Sequence, residues 1–206
     1  MKQKRLKNTA ANTIFPLAIA SYSALITVGC GDGSGSTDDP DLKAIVGSWQ
    51  TECTPGENDY TQSFLEFTSS KTFNYLRISS PEATCQAERS YSLEAKGSFT
   101  IDDSTDELTL LSFTPSSIEL TPLTEETSDS FNSAAYCENV FWELDTPFSV
   151  AGKSCELTES ITFTENGKTH EQIIEKQSDG VLFLGNSFLE NISTRPDEVA
   201  EVAYNK

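Results

Sequence analysis

Apolar and polar residues alternate with a period of two in several segments of this chain. In residues 93–101, Leu93, Ala95, Phe99 and Ile101 are separated by polar residues, and residues 157–163 repeat the pattern. Because successive side chains of a strand point to opposite faces, this period predicts half-buried β-strands. Less regular strands are predicted at residues 45–53, 63–68, 72–78, 108–113, 118–121, 139–144, 169–175, 181–184 and 201–204.

Turn residues separate these predicted strands. Asn166-Gly167 is the strongest hairpin signal and predicts a type I′ turn between the flanking strands. Asp179-Gly180 and residues 102–106 predict the other tight turns. The strands up to residue 113, and again from 156 to 184, therefore read as antiparallel meanders. Residues 114–155 predict longer loops with one helical turn near residues 128–135. Some eight to ten short strands favour a closed barrel or a two-sheet sandwich.

The first 29 residues have the organisation of an export signal. Four basic residues and no acidic one precede an apolar run at residues 14–28. This run is shorter than the roughly 20 residues that a helix needs to span a bilayer. The following Thr27-Val28-Gly29-Cys30 resembles the lipobox of bacterial lipoproteins. That resemblance implies cleavage before Cys30, acylation of Cys30 and a durable membrane anchor.

The residues after Cys30 predict a tether and a single domain. Residues 30–41 are rich in Gly, Ser and Asp, a composition typical of a flexible linker. Residues 42–206 contain most of the aromatic and aliphatic residues and predict one β-domain. In the lipoprotein sorting rule, Gly31 at the position after the lipidated cysteine implies the outer membrane, on its periplasmic or surface face.

Net charge limits the partners of the exported chain. The precursor has 14 Lys and Arg against 32 Asp and Glu, a net charge of −18. Removing the leader with its four basic residues lowers the net charge to −22. Such an acidic chain lacks the cationic surface on which nucleic-acid binding depends. We therefore expect no nucleic-acid partner, and we expect membrane attachment through the lipid at Cys30.

Four cysteines remain once Cys30 is assigned to the lipid anchor. An even number in an exported protein predicts two disulfides. Of the three possible pairings, Cys53–Cys85 with Cys137–Cys155 closes the shortest loops and is the pairing we predict. The spacings contain no Cys-x-x-Cys, so no zinc site is expected.

The sequence Gly47-Ser48-Trp49 at the start of the first predicted strand resembles the Gly-x-Trp motif of the lipocalins. The resemblance implies an antiparallel meander β-barrel with Trp49 across its closed end and with Arg195 packed on Trp49. It also implies an interior that binds a small apolar ligand. The aromatic residues that could line such a cavity, or fill it as core, are Trp49, Phe73, Tyr75, Phe99 and Phe163.

No catalytic, metal or cofactor site is predicted. His170 is the single histidine of the chain, and neither a zinc-protease motif nor a Gly-x-Ser-x-Gly elbow accompanies it. We therefore interpret His170 as an ordinary strand residue and the protein as non-enzymatic. Two hypotheses follow: a lipid-anchored barrel that binds a small apolar molecule, or a structural lipoprotein with a solid core that contacts another envelope component.

Overall fold

Twelve strands and two α-helices make up the described part of the chain. The structure is a computed structural model, which describes residues 39–56, 59–86, 88–105, 108–156, 160–177, 180–185, 188–191 and 195–206. The helices are α1 (Pro40–Ile45) and α2 (Glu125–Ala134), and a 3₁₀ turn covers Tyr136–Glu138. The strands are β1 (Gly47–Thr51), β2 (Thr54–Pro55), β3 (Tyr60–Phe67), β4 (Thr72–Ser80), β5 (Tyr91–Ser104), β6 (Leu108–Pro122), β7 (Phe148–Ser149), β8 (Ser154–Glu156), β9 (Ser160–Thr162), β10 (His170–Lys176), β11 (Val181–Gly185) and β12 (Val199–Asn205).

Eight of these strands form a closed antiparallel barrel. Its order is β1, β3, β4, β5, β6, β10, β11 and β12, and the ring closes because β1 pairs with both β3 and β12. Each of these strands pairs antiparallel with both of its neighbours in the ring. The order of the strands around the barrel is also their order along the chain. The predicted meander barrel is therefore confirmed, and closure leaves none of the eight strands with an unpaired side.

The longest pair of strands bends at a bulge. Between β5 and β6 the register shifts at Lys96 and Gly97, so that Ser116 has no partner. A Cβ atom at Gly97 would collide with the carbonyl oxygen of Thr114 and the ring of Phe73. Two strands predicted on either side of Pro115 are thus one continuous strand, because the bulge accommodates the proline.

One end of the barrel is closed by α1 and packed aromatic rings. Asp39 caps α1 by accepting hydrogen bonds from the first backbone N–H groups of the helix, so the helix begins inside the predicted linker. Trp49 donates from Nε1 to the carbonyl of Ile45 at 2.8 Å. The ammonium group of Lys206 lies over the Trp49 ring, with Nζ 4.7 Å from the ring centroid. The prediction for Arg195 is wrong, because its guanidinium pairs with Asp102 at 2.5 Å.

Residues 123–169 form an excursion between β6 and β10, which contains α2, the 3₁₀ turn, β7, β8 and β9. The prediction of a strand at 139–144 is wrong. The Asn132 side chain bonds the backbone N–H and carbonyl of Trp142 at 2.6 and 2.9 Å, and Ser128 Oγ donates to the same carbonyl at 2.7 Å. These bonds occupy the backbone groups that a strand would pair.

The hairpin predicted at Asn166-Gly167 is also wrong. Strand β9 pairs with β8, whereas β10 pairs with β6. Gly167 has φ +76°, but Asn166 is not among the residues with positive φ, and a type I′ turn needs both. The turn predicted at Asp179-Gly180 agrees with the structure, since β10 and β11 form an antiparallel pair and Gly180 has φ +84°. Asp179 itself lies outside the described residues.

Both predicted disulfides are present. Cys53 is bonded to Cys85, and Cys137 is bonded to Cys155. The first joins the segment after β1 to the loop between β4 and β5. The second fastens the 3₁₀ turn to β8 and thereby holds the excursion together.

Candidate functional site

A cavity of about 350 Å³ opens at the end of the barrel farther from α1. Side chains of β1, β3, β4, β11 and β12 contribute to its wall, together with the segments 54–56 and 188–190. One part of the wall is polar, with Thr51, Thr61, Ser63, Tyr75, Arg77 and Tyr204. The other part is apolar, with Leu184, Phe188, Ala200 and Val202. Its volume is at the small end of the range for ligand pockets, about 300 to 1,000 Å³.

Arg77 is the cation of this wall. It follows Phe73 and Tyr75 at alternate positions of β4, so its side chain enters the barrel from the same face of the strand. Within the described residues, no carboxylate forms an ion pair with the guanidinium and its Nε has no hydrogen-bond partner. Burial by itself lowers the pKa of Arg77, but Tyr75, Tyr91 and Asp59 outweigh this and raise it. The side chain therefore remains a cation.

A hydroxyl network lies beside Arg77. Ser63 Oγ is 3.1 Å from Tyr75 Oη, and the Tyr204 hydroxyl lies close enough to interact with both side chains. Thr51 Oγ1 accepts a bond from the backbone N–H of Ser63 at 2.9 Å. Burial raises the pKa of Tyr204 well above its ordinary value, so this phenol is neutral at pH 7. The network thus offers uncharged donors and acceptors next to one positive charge.

The carboxylate of Asp59 lies near Arg77 but is not part of the cavity lining. Its Oδ2 accepts hydrogen bonds from the hydroxyls of Ser79 and Tyr91. Desolvation by burial raises the pKa of Tyr91, so that it too is a neutral donor. Asp59 contributes to the field at Arg77 while its own hydrogen bonds go elsewhere.

Phe188 forms the apolar floor of the cavity. Its ring centroid lies 5.0 Å from that of Tyr75 and 5.2 Å from that of Phe113, both in edge-to-face geometry. Phe113 in turn contacts Phe67, Phe73 and Phe99. The barrel interior is therefore solid below Phe188, and the space for a ligand lies above it.

The predicted aromatic residues divide between core and cavity. Trp49, Phe73 and Phe99 are buried in the packed interior, and Tyr75 is the one that lines the cavity. Phe163 is buried within the excursion, where its backbone bridges to Glu190. Cys30, the predicted signal at residues 1–29 and the linker up to residue 38 lie outside the described residues.

Sequence reasoning missed Arg77, Phe188 and Tyr204. A signal for Arg77 was present, because an arginine at position 77 shares its strand face with Phe73 and Tyr75. A charge on the inward face of a half-buried strand indicates a polar site. Phe188 carried no comparable signal, since it lies between predicted strands.

His170 is an inward residue of β10 and lies outside the cavity wall. Its ring stacks on Phe113 at 5.9 Å, and neither ring nitrogen has a hydrogen-bond partner in the described residues. Burial lowers the pKa of His170 to about 4. The imidazole is therefore neutral at pH 7.

No protein-family model matches this sequence. No curated protein matches it either. In the part of the chain that the structure describes, no helix combines the length and the apolar character needed to cross a bilayer. Among those same residues, no three His, Cys, Asp or Glu side chains converge as a metal site requires.

A larger depression of about 610 Å³ lies on the wall formed by β1, β3, β4 and β5. Much of its lining comes from outward-facing residues, among them Glu66, Asn74, Glu94 and Lys96. These pair with one another in solvent: Asn74 with Glu66 at 3.0 Å and Lys96 with Glu94 at 3.5 Å. We therefore assign the candidate site to the cavity inside the barrel.

Proposed function

We propose that this protein is a membrane-tethered binding protein that holds a small ligand in the open end of its barrel. The supporting observation is the cavity above Phe188, where inward side chains of five barrel strands meet around about 350 Å³. Since its wall is polar around Arg77 and apolar around Val202, the ligand is amphipathic rather than purely apolar. An acylated Cys30 keeps this barrel at the cell envelope.

Native mass spectrometry tests ligand binding directly. Residues 31–206, which include every described element of the barrel, are exported to a bacterial periplasm and purified without detergent. We expect an additional small-molecule mass that disappears on denaturation. The variant Val202→Trp, which fills the cavity, should lose this mass, and the control Val140→Trp, on an exposed loop, should retain it.

A bare polypeptide mass for the parent protein would contradict the binding proposal. Retention of the additional mass by Val202→Trp would place the ligand elsewhere. Because the parent and both variants contain the same two disulfides, the expected polypeptide mass is four hydrogens below the reduced value in each case.

The lipid anchor is tested separately. Cells that express the full-length chain should incorporate labelled palmitate into the wild-type protein and not into Cys30→Ser. Persistent labelling of the variant would refute the assignment of Cys30.

A second candidate function rests on the excursion. Val140, Phe141 and Leu144 are exposed, Phe141 by 82%, next to the Cys137–Cys155 disulfide. Large exposed apolar side chains that are fixed in this way are typical of protein contact surfaces. A photocrosslinker at position 141 in intact cells should then give a discrete adduct that is absent when it is placed at Glu201.

A further inference from the structure

Arg77 is a cation of the cavity wall that forms no ion pair with the described residues. Charged side chains are seldom buried unless they are paired, because leaving water costs several kcal/mol. Here the nearest contributors to its field are the phenols of Tyr75 and Tyr91 and the carboxylate of Asp59. None of the three forms a hydrogen bond or ion pair with the guanidinium. Nε of Arg77 is buried without a hydrogen-bond partner among the described residues, and the side chain lines the cavity.

We infer that Arg77 binds the carboxylate head of a small monoanionic ligand, whose apolar body lies against Phe188, Leu184 and Val202. This inference depends on the proposed function, since it names the ligand class of that cavity. The planar guanidinium matches a carboxylate with two parallel hydrogen bonds. Tyr75 and Tyr204 line the same cavity as Arg77.

Local charge favours one negative charge over two. Arg77 is the sole basic residue in the described lining of the cavity, and Glu190 lies in the same lining. Asp59 adds a second negative charge near the guanidinium. Arg77, Glu190 and Asp59 together carry a formal charge of −1, so a bound carboxylate brings the total to −2 and a phosphate dianion brings it to −3. The monoanion is therefore repelled less than the dianion.

Isothermal titration of residues 31–206 with three matched probes tests this inference. Octanoate carries one negative charge, octan-1-ol carries none, and octyl phosphate carries up to two. We expect octanoate to bind the wild type at least about tenfold more tightly than octan-1-ol, since hydrogen bonds to a charged group contribute that much or more. Octyl phosphate should bind more weakly than octanoate.

Variants at position 77 separate charge from cavity. Arg77→Met should reduce octanoate affinity to that of octan-1-ol and leave the affinity for octan-1-ol unchanged. Arg77→Lys should give an intermediate octanoate affinity, because it keeps the charge and loses the planar fork. The wild-type comparison of the three probes stands even if a variant fails to fold.

Three outcomes would contradict this inference, and the first two distinguish its failure from that of the proposed function. Equal binding of octanoate and octan-1-ol, unaffected by Arg77→Met, would overturn the role of Arg77 and leave the binding cavity intact. Absence of binding by all three probes would count against both. Tenfold tighter binding of octyl phosphate would overturn the preference for a single charge.

Discussion

Phe188 separates the filled part of the barrel from the cavity, so its removal should weaken the fold and enlarge the site. The ring makes edge-to-face contacts with Phe73, Tyr75 and Phe113 at centroid distances of 6.2, 5.0 and 5.2 Å. Truncation of a fully buried phenylalanine to alanine costs about 3 to 5 kcal/mol. Phe188 is only half-buried and borders existing space, so we expect a loss of about 2 to 3 kcal/mol for Phe188→Ala.

Chemical and thermal unfolding measure this loss. For a domain of this size, each kcal/mol shifts Tm by about 2 to 4 °C, so Tm should fall by roughly 5 to 10 °C. Phe141→Ala is the matched control, because that ring is 82% exposed and its removal should change stability by less than about 0.5 kcal/mol. Equal stability of the two variants would refute the position of Phe188 inside the barrel.

Three further predictions concern the disulfide of the excursion, the buried histidine and the closed end. Replacing both Cys137 and Cys155 by alanine should reduce the free energy of unfolding by about 3 kcal/mol, by the chain-entropy estimate for a loop of 18 residues; a chemical denaturation curve that overlays the wild type would contradict it. Burial lowers the pKa of His170 from 6.5 to about 4. The stability that the buried neutral imidazole contributes is therefore complete above pH 6.5, where the side chain is neutral in both the folded and the unfolded state, and it is lost as the pH falls from 6.5 to 4. Relative to His170→Gln, the wild type should therefore lose about 2 kcal/mol between pH 7 and pH 5, and parallel pH profiles would disprove this. Lys206→Ala should cost about 0.5 to 1 kcal/mol through its contact with Trp49 and alter tryptophan fluorescence; an unchanged emission spectrum would argue against the contact.

The barrel strands could be predicted because their signal is local. In β5, buried Leu93, Ala95 and Phe99 lie on the inward face as the alternation indicates. Closure of the ring was predicted by resemblance, since pairing between β1 and β12 depends on residues at opposite ends of the domain. Local pattern and global fold agree over these strands, which is the usual property of a foldable sequence.

The excursion could not be predicted in the same way, because non-local contacts determine its conformation. Trp142 lies in a segment with strand-like composition, yet its backbone is bound by side chains of α2. The candidate site was missed for a related reason. Arg77 can be recognised as part of a binding site only when Tyr204, more than a hundred residues away in sequence, is known to lie near it. The alternation of residues in β4 does not predict this neighbour.

Closure of the ring through β1 has a consequence for the order of folding. Strand β1 lies between β3, its near neighbour in sequence, and β12, the last strand of the barrel. If the chain folds from its N-terminus, the barrel strands before β12 form an open sheet whose edges, β1 and β11, stay unpaired until β12 pairs with both. Unpaired edges of this kind favour aggregation. A circular permutant that joins residue 206 to residue 39 by a short linker, and so keeps α1, and that opens within the excursion would make this distant pairing local in sequence. The permutant would then fold with lower contact order, and therefore faster, than the natural connectivity.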